Sequence, residues 1–317
     1  MDIVPHRDRH VQVIEAIKRE VPNVVLKLNE SLKNHTTFKV GGPVFAMLFP
    51  KNIIELTAIN ELLGRYDISP FIIGNGSNIL ASDKKHDLIV LKTLNIRNIS
   101  LLEETASTKQ RHRDITVDSG VLLSEAAVFA YENGLTGLEF AHGIPGTTGG
   151  AVVMNAGAYG REMKDIVFTT SVYNAASGMK ELTAADSEFS YRHSRFINTS
   201  DIVLSSVFRL EKGEKAVIKQ KMKEFELRRQ SSQPLDFPSG GSTFKRPKEG
   251  YAAAFIEQAG LKGYTIGGAQ VSEKHTGFIV NRGNASFNDV ISLIKYVQDV
   301  VLKQFDINLE PEVRILN

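Results

Sequence analysis

Two glycine-rich stretches are the features of this sequence whose residue types most clearly point to chemistry. Residues 143–160 read GIPGTTGGAVVMNAGAYG, where six of eighteen residues are glycine and none is charged. Glycine lets the main chain adopt positive φ and lets another group approach it closely. The stretch therefore indicates either a set of awkward turns or a ligand that lies against the main chain.

The second stretch is GNGSN at residues 74–78, directly after the apolar segment FIIG. A turn of this kind offers consecutive main-chain N–H groups together with Ser and Asn side chains, which makes a concave site for phosphate oxygens. A simple tight turn is the alternative interpretation of this motif on its own.

The usual nucleotide signatures are missing. The sequence has no G-x-x-x-x-G-K-[ST] motif, and the third glycine of a G-x-G-x-x-G fingerprint is replaced by Ile79. Two glycine-rich turns without a P-loop favour a large dinucleotide such as FAD, whose diphosphate can be held by main-chain amides without a lysine.

The elements that must position these turns alternate in type. Val11, Ile14, Ile17 and Val21 predict an amphipathic helix before Pro22. A small β-α-β unit that ends near residue 95 is predicted next. Its strands are VFAMLF, FIIG and DLIVL, and its helix is NIIELTAINELLGRY. Strands dominate residues 96–212, with the helix LLSEAAVFAYENG among them.

The last third of the sequence begins with a charged helix, EKAVIKQKMKEFELRR, which we interpret as a solvated helix. A Pro/Gly/Ser-rich segment follows, and then a short helix, a strand, a long helix from Ser286 and a final strand EPEVRIL. Ser286 and Asp289 predict a capping box with Asp in place of Glu. The predicted domains are an N-terminal helical lead-in (1–34), a two-lobed domain (35–95 and 96–212) and a C-terminal domain (213–317).

Composition excludes several classes of function. The 317 residues include no cysteine, which rules out disulfides, thiolate metal sites and thiol nucleophiles. A net charge of +2 argues against a nucleic-acid-binding protein. The polar start MDIVPHRDRH shows no signal peptide, and no run approaches the roughly 18 apolar residues of a membrane span. We expect a cytoplasmic protein that binds neither nucleic acid nor membrane.

Motifs along most of the chain carry a resemblance to a known family. GNGSNIL and the 143–160 stretch resemble the flavin-binding domain of vanillyl-alcohol-oxidase-type enzymes. Five further motifs resemble the UDP-N-acetylenolpyruvylglucosamine reductase (UDP-N-acetylmuramate dehydrogenase) family. They are HTTFKVGG (35–42), YRHSRF (191–196), GGSTFKRP (240–247), KHTGFIVN (274–281) and LEPEVRIL (309–316). The resemblance implies an α+β fold with a two-lobed FAD-binding domain and a C-terminal substrate-binding domain.

The same resemblance implies an activity. Family members reduce UDP-N-acetylglucosamine enolpyruvate to UDP-N-acetylmuramate for bacterial peptidoglycan, with non-covalent FAD and with NADPH as hydride donor. The substrate and NADPH are expected to use one pocket in turn, and no obligate protein partner is evident. No metal is expected.

Three catalytic residues follow from motif position. Arg192 is expected to hold the substrate carboxylate, since a guanidinium fork suits a carboxylate; Arg195 is the alternative. Ser242 is expected to protonate the carbanion, and Glu312 to orient the proton-delivery network. The residue pattern alone does not separate Glu310 from Glu312, and the family motif favours Glu312.

Binding residues are assigned in the same way. We expect Gly149 and its neighbouring glycines to serve the approach of the ligand rather than a turn. The expected FAD contacts are Gly74, Asn75, Gly76, Ser77, Asn78, Gly143, Ile144, Gly146, Thr147, Gly149, Gly150, Asn155, Gly157 and Arg314. The expected substrate contacts are Tyr191, Lys245, Lys274, His275 and Asn281.

One departure and two alternatives remain. Only fifty positions separate Arg192 from Ser242, which resembles the shorter family form without the tyrosine loop that closes over the substrate. An oxidase on the same flavin fold is one alternative, although it has no carbanion to protonate. A non-catalytic module that binds through the charged helix at 213–229 is the other.

Overall fold

The computed structural model describes residues 6–103 and 111–317. Its helices are α1 (His6–Glu20), α2 (Ile53–Arg65), α3 (Leu123–Glu132), α4 (Thr148–Val153), α5 (Lys215–Ser232), α6 (Ala252–Gln258) and α7 (Phe287–Phe305). Short 3₁₀ turns lie at Leu32–Asn34, Thr93–Asn95, Glu139–Ala141, Met163–Asp165 and Arg195–Ile197.

The strands are short and spread along the whole described chain. They are β1 (Val25–Leu28), β2 (Val44–Phe49), β3 (Phe71–Ile73), β4 (Ile79–Ala81), β5 (His86–Lys92), β6 (Ile99–Leu101), β7 (His112–Asp118), β8 (Leu135–Thr136), β9 (Gly157–Ala158), β10 (Arg161–Glu162), β11 (Val167–Asn174), β12 (Gly178–Thr183), β13 (Ile202–Lys212), β14 (Thr265–Ile266), β15 (Ala269–Val271), β16 (Ile279–Asn281) and β17 (Arg314–Leu316).

The chain forms two compact units, each built from three segments. The first unit holds residues 1–29, 45–75 and 87–227, as far as they are described. The second holds residues 30–44, 76–86 and 228–317. The boundary between the units falls inside the GNGSN turn, between Asn75 and Gly76.

Two sheets build the first unit. One has the strand order β1-β2-β5-β3, with β3 and β5 parallel, and it packs its apolar residues with those of α1 and α2. The other has the order β12-β11-β13-β7-β6, with β8 paired to β13. Its core includes Ile115, Phe208 and the buried face of α3. The β9–β10 hairpin lies in the same unit.

The second unit is smaller and packs around α7. Its sheet has the order β14-β15-β16, and β17 pairs with β4 in parallel, with Arg314 opposite Ile79. Val290, Leu293 and Val297 of α7 are fully buried against this core.

The units differ from the predicted domain boundaries in three segments. Ile218 and Met222 of α5 pack into the core of the first unit, so residues 213–227 do not belong with the C-terminal segment. Phe38, Val40 and Leu80 pack into the core around α7, so their segments belong to the second unit. The assignment of binding roles to the domains stays a proposal.

Helix α1 is present as predicted, with one difference in its buried face. Ile14, Ile17 and Val21 are buried, but Val11 is 51% exposed and Val13 is fully buried instead. Among the described residues, no helix combines the length and apolar character that a membrane span needs.

The predicted capping box at the start of α7 is confirmed. Ser286 Oγ accepts the Asp289 N–H at 3.1 Å, and Asp289 Oδ2 accepts the Ser286 N–H at 2.9 Å. The main-chain hydrogen bonds from Ser286 and Gly268 lower the pKa of Asp289 below its ordinary value. The box therefore satisfies N–H groups that the first turn of a helix leaves unpaired.

We expect Ser286→Ala to lower the free energy of unfolding by about 1 kcal/mol, because an N-cap acceptor is lost. Urea denaturation measures this change. Ser231→Ala, which removes a hydroxyl near the exposed end of α5, is the control and should shift stability by less than about 0.5 kcal/mol. An equal loss in both variants would contradict the capping role.

Candidate active site

The two glycine-rich stretches meet within the first unit. Asn75 Nδ2 donates a hydrogen bond to the Pro145 carbonyl at 2.7 Å. A Cβ atom on Gly74 would overlap the side chain of Thr147, whose Oγ1 also accepts the Gly150 N–H at 3.4 Å. The end of β3 and the start of α4 are therefore in direct contact, which sequence alone left as a hypothesis.

Gly149 has a packing reason to be glycine. It is buried, its N–H bonds to the Ser119 carbonyl at 2.9 Å, and a Cβ atom would lie 2.8 Å from Ser119 Cβ. Gly150, the next residue, is exposed, and its nearest neighbour to an added Cβ is Thr147 Oγ1 at 3.5 Å. The packing against Ser119 accounts for glycine at position 149 without a ligand. At Gly150 no protein atom crowds the space that a side chain would occupy, so a ligand could approach the main chain there.

The second half of the GNGSN turn lies in the second unit. Gly76 has φ of +68°, and a Cβ atom on it would overlap the main chain of His35 and Thr36. The main chain of His35 and Thr36 therefore leaves no room for a side chain at position 76. Asn78 Nδ2 donates to the Glu312 carbonyl at 3.2 Å. Ser77, between Gly76 and Asn78 in sequence, is half-buried.

Arg192 lies at the tip of a tight turn in the first unit. Ser190 and His193 exchange main-chain hydrogen bonds of 3.0 and 3.1 Å around Tyr191 and Arg192. Arg192 has φ of +53°, which is uncommon for a residue other than glycine and is often retained at functional sites. Its guanidinium donates to the Gly157 carbonyl at 3.0 Å and lies 5.0 Å from the Tyr191 ring centroid.

Asn155 anchors this turn. The side chain is fully buried, and its Nδ2 donates to Glu162 Oε2 at 2.6 Å and to the Ser190 carbonyl at 2.8 Å. Its Oδ1 accepts the Lys164 N–H at 2.9 Å. All three interactions are internal, so this geometry gives Asn155 a positioning role that sequence reasoning missed, and its assignment as an FAD contact stays a prediction.

Ser242 lies in the second unit between two residues of defined geometry. Gly241 before it has φ of +81°, and Thr243 after it is buried. The Thr243 N–H donates to the Gly277 carbonyl at 2.8 Å, and Thr243 Oγ1 accepts the Ile279 N–H at 2.9 Å. Ser242 itself is exposed, as a residue that meets a substrate must be.

The structure separates Glu310 from Glu312. Segments 243–245 and 310–312 run side by side: Lys245 N–H bonds to the Glu310 carbonyl and Glu312 N–H to the Thr243 carbonyl, both at 2.8 Å. Glu310 is paired with Lys245 Nζ at 3.0 Å and its side chain is 72% exposed. Glu312 is half-buried and lies opposite the residue next to Ser242. This arrangement favours Glu312, as the motif did.

The expected substrate contacts in the second unit fall into two groups. Lys245 is paired with Glu310, and Lys274 Nζ donates to the Gln230 carbonyl; both side chains are at the surface. Asn281 is buried, with its amide bonded to the Phe38 carbonyl at 3.1 Å. Its internal bonds indicate a structural role, and the substrate assignment stays a prediction for all three.

His275 is held in its neutral form near neutral pH. Burial lowers the pKa of its imidazole, and a main-chain hydrogen bond and Glu257 offset this only in part. Its Nδ1 accepts the Gly277 N–H at 3.2 Å. His275 is therefore suited to a neutral hydrogen bond rather than to pairing its charge with a diphosphate.

The remaining expected FAD contacts differ in exposure. Gly143 and the Arg314 side chain are exposed, and Ile144 is half-buried beside the core of the first unit. The Gly146 carbonyl accepts the Leu123 N–H at 3.0 Å. A Cβ atom on Gly157 would lie 2.8 Å from Glu162 Cγ in the paired strand β10, which gives Gly157 a packing reason as well.

Comparison with known proteins places the chain in a family. Residues 45–182 match the model of an FAD binding domain, and residues 233–316 match the C-terminal domain of UDP-N-acetylenolpyruvoylglucosamine reductase. A reductase of this name from Caldanaerobacter subterraneus subsp. tengcongensis is 46% identical over 304 residues, 96% of this chain and 98% of that protein. The chain belongs to the UDP-N-acetylenolpyruvoylglucosamine reductase family.

Further similarities agree with this assignment. The reductase from Agathobacter rectalis is 43% identical over 307 residues, 96% of this chain and 98% of that protein. A crystal structure of the family's enzyme from Thermus caldophilus matches with a TM-score of 0.74 and 30% identity, over 93% of this chain and 99% of that one. The predicted family, fold class and FAD-binding domain are confirmed.

We expect Gly149→Ala to lower the free energy of unfolding by about 1–3 kcal/mol, because the new methyl group must displace Ser119. Gly150→Ala, at the adjacent helical position, should leave stability unchanged or raise it by up to about 1 kcal/mol. Urea denaturation without added FAD compares their stability, and FAD titration compares their affinity for the cofactor. A Gly149→Ala protein that is as stable as the wild type but loses FAD would restore the ligand-approach interpretation.

Proposed function

We propose that this protein reduces UDP-N-acetylglucosamine enolpyruvate to UDP-N-acetylmuramate, with FAD as cofactor and NADPH as hydride donor. The observation that carries the proposal, beyond family membership, is the pairing of segment 243–245 with segment 310–312. Ser242 directly precedes the first of these segments, and Glu312 lies in the second, which supports a shared role for the two side chains. The proposal includes alternate use of one pocket by NADPH and substrate, and a cytoplasmic reaction.

The residues of the glycine-rich stretches fit the cofactor. Gly143 and Gly150 expose main chain at the surface of the first unit, and residues 143–160 carry no charge. The main chain of these residues and of Gly74 and Asn75, which lie in the same unit, would therefore approach a diphosphate, and uncharged surface would meet a flavin ring. FAD, when bound, supplies the transfer of hydride from NADPH to the terminal carbon of the enol ether.

Protein residues would stabilise the negative charge that develops on the substrate and would supply the proton that completes its reduction. As the terminal carbon gains hydride, negative charge develops on the adjacent carbon and spreads into the carboxylate. Arg192 would bind that carboxylate through its planar guanidinium. Ser242 would donate the proton to the adjacent carbon, and Glu312 would orient that proton transfer.

An anaerobic two-step titration tests the function. The yellow protein should lose its flavin absorbance with NADPH and regain it when UDP-N-acetylglucosamine enolpyruvate is added. Loss of flavin absorbance with a simple sugar, followed by regain with oxygen but not with this substrate, would overturn the proposal.

Ser242→Ala separates the two half-reactions. We expect flavin reduction by NADPH at near the wild-type rate, since that step needs no proton donor at the substrate. Reoxidation by substrate should slow by about 10² to 10⁴-fold, the usual value of general acid catalysis. Rapid-mixing absorbance measures both steps. Equal slowing of both would mean that Ser242 shapes the pocket instead.

Glu312→Gln and Glu310→Gln form a matched pair. We expect Glu312→Gln to slow reoxidation by about a hundredfold or more. Glu310→Gln should change it by less than about twofold, because an exposed ion pair with Lys245 contributes little. The same rapid-mixing experiment compares them. A larger effect at Glu310 would assign the role to that residue.

A further inference from the structure

Asn78 forms hydrogen bonds with the main chain of Glu312 and with the main chain of Arg314. Its side-chain Nδ2 donates to the Glu312 carbonyl at 3.2 Å, and its own carbonyl accepts the Arg314 N–H at 2.9 Å. Val313, which lies between these two bonds, is buried. Asn78 thus holds the residues on both sides of Val313, from a position 234 residues earlier in the sequence than Glu312.

Both main-chain polar groups of Glu312 are engaged. Its N–H donates to the Thr243 carbonyl at 2.8 Å, and its carbonyl accepts from Asn78. The Thr243 bond fixes the peptide before Glu312, and the Asn78 bond fixes the peptide after it. Together they determine the direction in which the Glu312 side chain leaves the main chain.

Thr243 connects the hydrogen bonds of Glu312 to the main chain beside Ser242. It is buried and bonded to Gly277 and Ile279, and it directly follows Ser242. The main chain beside Ser242 and the main chain of Glu312 are therefore held by the same hydrogen bonds. Loss of the Asn78 donor would remove the hydrogen bond that the Glu312 carbonyl accepts from it.

We propose that Asn78 is a positioning residue that acts through Glu312, and that its side chain is not a ligand of the cofactor phosphates. The inference rests on the proposed function, since it assigns Asn78 a part in substrate protonation. Catalytic groups must be held to within about 0.5 Å of their productive position, and a displacement of about 1 Å can slow a reaction by about a hundredfold. A weakened support for Glu312 should therefore appear in one half-reaction only.

Two variants and one control test the proposal. Asn78→Ala removes the donor, and Asn78→Asp keeps the shape but presents an oxygen to the Glu312 carbonyl. Asn133→Ala is the control, because Asn133 Nδ2 also donates to a main-chain carbonyl, that of Phe129, at 2.8 Å in the first unit. Each protein is measured for FAD affinity, flavin reduction by NADPH and flavin reoxidation by UDP-N-acetylglucosamine enolpyruvate.

We expect both Asn78 variants to bind FAD within about twofold of the wild type and to be reduced normally, while reoxidation slows by about 10 to 100-fold. Asn133→Ala should match the wild type in all three. In a Glu312→Gln background, Asn78→Ala should add little further loss, because the two residues act as one unit.

Other results overturn the proposal. A tenfold or greater loss of FAD affinity with normal reoxidation would make Asn78 a cofactor ligand. Full additivity with Glu312→Gln would separate the two residues, and loss of the fold in both Asn78 variants would make the amide a support of the whole unit. A wild-type protein that binds FAD but is not reoxidised by the substrate would instead refute the proposed function.

Discussion

The hydrogen bonds around Glu312 are the constraint on which the proposed proton-transfer residues of the second unit depend. They join three segments that are distant in sequence: the turn at Asn78, the segment at Thr243 and the segment that leads into β17. A buried main-chain polar group without a partner is costly, so these segments are held together as a set rather than one by one. The consequence is that the position of Glu312 relative to Ser242 depends on the main-chain bonds of Thr243 and on the side-chain amide of Asn78.

In the first unit, a buried side chain positions the turn that carries the proposed substrate-binding arginine. There a single buried side chain, Asn155, holds the turn that carries Arg192, and it does so through the Ser190 carbonyl. The turn keeps Arg192 in a left-handed conformation, which costs of order 1–3 kcal/mol in backbone strain. Such strain persists only where the surrounding contacts over-determine the conformation, and Asn155 and the Gly157 carbonyl supply those contacts. Rigid positioning of the guanidinium is what this arrangement provides.

The sequence predicted the fold class and the long elements well, because their periodicity is strong. Helix α7 with its capping box is the clearest case. Strand β12 has no sequence signal of its own, because most of its residues are exposed and no apolar alternation marks it. The partner of Gly149 could not be foreseen, since Ser119 lies thirty positions away and nothing in either segment signals the contact. The residue pattern alone does not separate Glu310 from Glu312, whereas the structure pairs the Glu310 side chain with Lys245 and leaves Glu312 half-buried, with its N–H bonded to Thr243.

The division of the second unit into three segments has a consequence for the order in which the chain folds. The first unit is complete once residue 227 has been synthesised, whereas β4 must wait for β17. Contacts between residues so far apart in sequence form late, because a long loop must close before they contribute. Until then Phe38, Val40 and Leu80 have no core to enter, although all three are buried in the finished protein. These two early segments therefore depend on residues 228–317 for the core that buries their apolar side chains.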